Sequence, residues 1–181
     1  MLSFLKGNLR WLAAGLSLCF FSGFGQTYFI SLSAGEIRAE YNLSHGDFGL
    51  LYIGSADGGS GGDPLDLAQN RGVAFGKIFR IDPLGSDSAN GRYGIPMDNP
   101  FADDGNPNTL PEIYAYGVRN PQRFGWDSTT GNVFFSDIGQ NLVEEVSLVT
   151  RGANLGWNDW EGSYRYIGRQ EVSLVDQRGE A

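Results

Sequence analysis

Hydrophobic and polar positions follow two different rules along this chain, and the change comes near Leu50. Upstream, WLAAGLSLCFFSGFGQTYFISLSAG runs for 25 residues from Trp11 to Gly35 without a charge. At roughly 1.5 Å per residue, a helix of that length crosses a hydrocarbon layer of about 30 Å. Lys6 and Arg10 precede the run and no further positive residue comes before Arg38, so the positive-inside rule predicts a cytoplasmic N-terminus and an exported remainder. A signal sequence cleaved on secretion is the alternative, but the run is longer than the usual apolar region of about 7–15 residues and shows no clear small-x-small cleavage site. A buried soluble helix is the third reading. Ser33-x-x-Glu36 and Ser44-x-x-Asp47 resemble helix N-terminal caps.

Downstream, the apolar residues come in short runs separated by Gly, Asn, Asp and Pro. LLYIG, GKIFRID, EIYAYG, RFGWD, NVFFSD and EEVSLV are enriched in β-branched or aromatic residues, and none has helical spacing. They predict an all-β body. Asp127 to Gly131 reads as a hairpin loop joining RFGW to NVFFSD. Successive hairpins of this size are the material of propeller blades.

Composition sharpens this picture. Within residues 1–51, Lys6, Arg10 and Arg38 cancel Glu36, Glu40 and Asp47, so the net charge of −8 belongs to the β body. An acidic body repels phosphate backbones and argues against nucleic acid as a partner. The 27 glycines predict many tight turns. Cys19 is the sole cysteine, so no intrachain disulfide is possible. It reads as a small apolar residue of the N-terminal run rather than a lipid-attachment site, because the large Leu18 precedes it. His45, the sole histidine, reads as a solvated loop residue.

Three local patterns carry little. GGSGGDPLD, residues 58–66, fits a calcium-binding nonapeptide, but that motif works by stacking repeats and there is one copy. GVAFGK is too short for a phosphate loop, and Ile78 stands where a magnesium-holding hydroxyl belongs. Asn42-Leu43-Ser44 fits the glycosylation acceptor pattern, which is common by chance.

Two resemblances follow from longer stretches. FSGFGQTYFISLSAGEIRAEYNLSHGDFGLLY resembles the first membrane helix and following loop of a major-facilitator transporter. LYIGSADGGSGGDP, GKIFRID, DNPF, PEIYAYGVRNPQRFGWD, SDIGQNLVEEV and GANLGW, in that order, resemble the glucose/sorbosone dehydrogenase family of pyrroloquinoline-quinone (PQQ)-dependent sugar dehydrogenases. The expected organisation is therefore a transporter-like hydrophobic helix and loop over residues 1–49, a partial six-bladed β-propeller of about two to three blades over 50–165, and a polar tail over 166–181. A chimeric junction is expected near residues 50–52.

The second resemblance implies hydride transfer from a sugar to PQQ, with calcium bridging quinone and protein. It implies that Arg119, Asn120 and Gln122 bind the cofactor, and that Gly139 and Gln140 offer main-chain carbonyls to the calcium. An arginine fork suits a quinone carboxylate, and a hard cation prefers oxygen ligands. Asp57 and Asp63 read equally as calcium ligands or as caps of glycine turns. Trp126, Trp157 and Trp160 read as packing residues. Ile138 departs from the amide found there in glucose-oxidising members, and the histidine base of the family is not found, so no catalytic residue is assigned. Besides a sugar dehydrogenase incomplete on its own, two alternatives stand: a non-catalytic, membrane-tethered binding or assembly piece, and a transporter fragment. Open sheet edges would favour self-association.

Overall fold

The computed structural model describes residues 49–127, 129–168 and 171–178. The apolar run, Cys19 and His45 lie outside the described residues, as does the expected N-terminal helix. Among the described residues no helix is long and apolar enough to cross a membrane. Inter-residue contacts divide the chain into two units, one holding Asp82–Gly94 with the residues up to Leu51, the other Tyr52–Ile81 and Ile95–Ala181.

In the first unit, Asp82 and Gly94 pair as an antiparallel bridge, each amide donating to the other's carbonyl at 2.9 and 2.8 Å. Ser88 Oγ closes the excursion between them by accepting the amides of Arg92 and Tyr93.

The body is all-β, as expected. Among the described residues its nine strands are β1 (Leu51–Ser55), β2 (Lys77–Ile81), β3 (Ile113–Tyr116), β4 (Pro121–Trp126), β5 (Val133–Asp137), β6 (Glu145–Val149), β7 (Trp160–Glu161), β8 (Tyr164–Ile167) and β9 (Glu171–Gln177). They form three separate three-stranded sheets, each in simple sequence order. Each apolar run singled out by pattern becomes one of β1 to β6. The strands β7 to β9 come from a stretch whose hydropathy is too mixed to announce them, and β9 falls within residues read as a polar tail. It is a strand because β8 pairs with it from Tyr164↔Gln177 to Ile167↔Glu171, while most of its side chains stay in solvent.

Alternation decides which faces pack. In β5, Val133, Phe135 and Asp137 point inward while Phe134 is exposed, the period-two pattern of a half-buried strand. Val133 and Phe135 join Ile78, Ala115, Val118 and Val149 in one core, with Tyr52, Tyr114, Phe124 and Leu155 packed around it. A second cluster gathers Ala68, Trp157 and Tyr166, the two rings 5.0 Å apart. Trp157 is thus a packing residue, whereas Trp126 is 55% exposed and rests at the rim of the core against the Tyr52 and Phe124 rings. The register explains it: Trp126 is the last residue of β4, beside the Asp127–Gly131 loop that turns the chain back at Asn132.

The turn at Asp127 is built as expected. The Gly131 amide donates to the Asp127 carbonyl at 2.7 Å, and the Asp127 side chain accepts from the Thr129 amide and the Thr130 hydroxyl.

Candidate functional site

The site forms where β3 runs into β4 and β5 runs into β6. Asp137 is the last residue of β5, on its inward side, and 6% exposed. Its two carboxylate oxygens accept the backbone amides of Arg119 (2.9 Å) and Asn120 (2.5 Å). The Ile138 amide returns a bond to the Asn120 carbonyl at 3.2 Å. Burial pushes the Asp137 pKa up to about 6, while the two amides and the Arg119 charge pull the other way. A single carboxylate therefore fixes the backbone of the predicted Arg119–Asn120 pair.

The Arg119 guanidinium is held by neutral groups. Nε and one terminal nitrogen donate to Gln140 Oε1 at 3.1 and 3.0 Å, and the other terminal nitrogen donates to the Ile138 carbonyl at 2.9 Å. The Trp157 ring lies 5.8 Å below it. Among the described residues Arg119 makes no side-chain ion pair, and each terminal nitrogen keeps one N–H beyond these bonds. A guanidinium carries five N–H donors, so two are left for an anion.

Gln140 Oε1 also accepts the Gly62 amide at 3.2 Å, which ties the glycine-rich stretch to the same side chain. Asp57 completes the circuit. Its amide donates to the Arg119 carbonyl at 2.8 Å, its Oδ2 accepts Trp157 Nε1 at 2.8 Å, and its Oδ1 accepts the Gly59 amide at 2.9 Å. Asp63 accepts the amides of Leu67 and Ala68 at 2.9 and 2.8 Å. Both aspartates therefore act as turn caps here.

The glycine-rich stretch has a second anchor. Lys77 at the start of β2 is fully buried, and its Nζ donates to the carbonyls of Leu67, Ala68 and Phe75 at 2.9, 2.9 and 2.5 Å. Burial lowers its pKa to about 8 against the opposing charge of Asp63.

Of the predicted residues, Arg119, Asn120 and Gln140 are brought together directly. Gln122 is exposed on β4, where its amide nitrogen donates to Asn120 Oδ1 at 2.8 Å. Gly139 lies in the same turn, its amide donating to Glu144 Oε2 at 3.1 Å. Sequence reasoning missed Asp137 and the hydrogen bond by which Trp157, expected only as a packing residue, holds Asp57. The signal for Asp137 was available, since an acid in register with the inward Val133 and Phe135 must be buried and needs donors.

The donor set can be compared with the two implied groups. A polyanionic quinone fits the two remaining N–H groups of Arg119 and the amides of Asn120 and Gln122. For calcium, the described residues offer no gathering of three His, Cys, Asp or Glu side chains. The main-chain carbonyls of Gly139 and Gln140 are hard donors of the right kind, but calcium takes six to eight oxygens, so most would have to come from elsewhere.

The HIPL1 protein of Arabidopsis thaliana is 41% identical over 143 residues, covering 74% of this chain and 19% of its own length. Quinoprotein glucose dehydrogenase B of Acinetobacter calcoaceticus is 32% identical over 88 residues, covering 49% of this chain and 16% of its own. The solved structure of an oxidoreductase (glucose dehydrogenase) from Thermus thermophilus superposes with a TM-score of 0.52 at 31% identity, covering 62% of this chain and 31% of that one. The chain thus spans about a fifth of the length of the first curated relatives it matches. The family match itself starts at residue 36, upstream of the junction expected near residues 50–52, and continues through the nine described strands to residue 180. Carried over that length and over the Arg119–Gln140 cluster, the match shows that this chain belongs to the glucose/sorbosone dehydrogenase family.

Proposed function

We propose that this chain supplies quinone-binding residues of a PQQ-dependent sugar dehydrogenase. The observation that carries the reading is the Arg119 guanidinium, positioned by neutral acceptors and, among the described residues, left with two N–H groups and no side-chain ion pair. Arg119 grips a quinone carboxylate, and Asn120 and Gln122 donate to its remaining oxygens. When bound, PQQ accepts a hydride equivalent from a sugar carbon. Gly139 and Gln140 offer carbonyls to a calcium ion beside it. The quinoprotein name of one relative supports the cofactor class.

Sugar oxidation also needs a base for the hydroxyl proton. Two buried aspartates hydrogen-bond the Arg119 main chain, and both carboxylates are committed: Asp137 to the Arg119 and Asn120 amides, Asp57 to Trp157 and Gly59. This favours a second reading in which the described residues bind quinone without turning it over. PQQ titration with and without calcium, followed by sugar-dependent dye reduction, separates the two. Saturable binding abolished by Arg119→Ala supports the quinone site, dye reduction supports the enzyme, and absence of binding at high PQQ rejects both.

The Trp11–Gly35 run is proposed as a membrane tether with the β body exported. Release of the chain from membranes by a carbonate wash would contradict that.

A further inference from the structure

The turn that presents Gly139 and Gln140 is not self-supporting. Its three following amides, those of Asn141, Leu142 and Val143, converge on one oxygen of Glu161, at 2.6, 3.1 and 3.3 Å. Glu161 belongs to the two-residue strand β7 and is fully buried. Consecutive amides gathered around a carboxylate form an anion-binding concavity, and bonds to an ionised acceptor are about twice as strong as neutral ones. Among the described residues Glu161 Oε2 has no hydrogen-bond partner, so the hydrogen bonds that this carboxylate accepts there come from the turn.

The connection runs both ways. Glu145 Oε1, at the start of β6, accepts the amide of Gly162 at 2.6 Å. A carboxylate from the β7 side thus holds the turn, and a carboxylate from the β6 side holds the residue next to Glu161. The turn is drawn in so tightly that a Cβ on Gly139 would lie 1.8 Å from the Val143 carbonyl and 2.6 Å from Glu161 Oε1. Gln140, next to that glycine, is the side chain that receives two Arg119 N–H groups.

We propose that Glu161 is the positioning residue of this site: by gathering the Asn141–Val143 amides it fixes the turn that carries Gly139 and Gln140, and through Gln140 it sets the Arg119 guanidinium. Glu161 touches no cofactor itself. It acts through the turn, from 21 positions further along the chain than Gln140. The quinone consequence rests on the proposed function, but the positioning does not.

The test uses the full chain, isotope-labelled, with Glu161→Gln and Glu161→Ala. Amide hydrogen exchange is read at residues 139–143 and, as a control, along the β4–β5 ladder, while the Arg119 Nε–H resonance reports the Gln140 bond. The expected result is at least about tenfold faster exchange in the turn and lost protection of Arg119 Nε–H in the alanine variant, with the ladder unchanged. The glutamine variant, which keeps an acceptor but loses the charge, falls between it and the parent. A purely structural role would instead speed exchange in the turn and the ladder together. Should the alanine variant fail to fold, the glutamine variant decides: parent-like turn exchange and Arg119 protection overturn the proposal. PQQ titration of the same proteins is a separate arm. If the parent binds no PQQ, the quinone reading fails while the exchange data still decide the positioning role.

Discussion

Replacing Asp137 by asparagine separates two properties of one buried carboxylate: the bonds it accepts and the charge it carries. Its pKa is raised from 3.8 to about 6, chiefly by burial. A carboxyl whose folded value lies above its unfolded value contributes stability that is fully present below the unfolded value and lost as the pH rises through the folded one. With roughly 1.4 kcal/mol for each pH unit between the two values, the parent loses about 2–3 kcal/mol from this group between pH 4 and pH 7.5. Asparagine does not ionise, so its variant lacks that loss. It does turn an NH2 toward either the Arg119 or the Asn120 amide, because the parent uses both oxygens, and an unsatisfied buried donor costs about 1–3 kcal/mol. At pH 4 the variant is therefore the less stable protein, and by pH 7.5 the two approach or cross. Urea unfolding followed by tryptophan fluorescence at pH 4, 5.5 and 7.5 measures this. Burial raises the Glu145 pKa and the Asp137 charge adds to it, so Glu145 is raised less in the variant, and this coupling adds to the parent-minus-variant difference in the same direction. A parent-minus-variant stability that stays constant across the three pH values would refute the argument.

Three other substitutions test separate parts of the structure, and a fourth tests the cofactor fork. Lys77→Met removes the ammonium that three carbonyls share and should cost about 3–5 kcal/mol in urea unfolding, the range for breaking a buried charged network; a loss below about 1 kcal/mol would show the 57–76 loop holding itself. Gly139→Ala places a methyl group against the Val143 carbonyl and should cost about 1–3 kcal/mol as overpacking, with faster amide exchange starting in the 138–143 turn. Phe135→Ala, in the core at 2% exposure, should cost about 3–5 kcal/mol, read by the same unfolding assay. Arg119→Ala should cost about 1.5–3 kcal/mol, since its bonds come from a charged donor and its charge favours the ionised Asp137, and should abolish saturable PQQ binding.

How much of this was legible in the sequence depends on where each residue's partners lie. Strands β1 to β6 are announced by their own residues, because apolar runs bounded by glycine and asparagine need no distant information. Strand β9 is not, since Leu174 and Val175 stay exposed and the strand exists only through its pairing with β8. The same distinction runs through the site. Arg119, Asn120 and Gln140 sit in motifs that name them, but what holds them comes from elsewhere in the chain: Asp137 lies 18 residues beyond Arg119, and Glu161 lies 20 beyond Asn141. Neither supporting carboxylate stands out by composition, in a chain with 21 acidic residues. Register could have exposed Asp137, because an acid following Val133 and Phe135 on the inward side must find donors. No comparable rule exposes Glu161, since β7 is two residues long and has no period to read. The physical consequence is that groups offered to a ligand are written locally, while the groups that fix their positions are written by topology. Substitutions at Asp137 and Glu161 should therefore disturb the Arg119 fork without touching a residue of the motif that contains it.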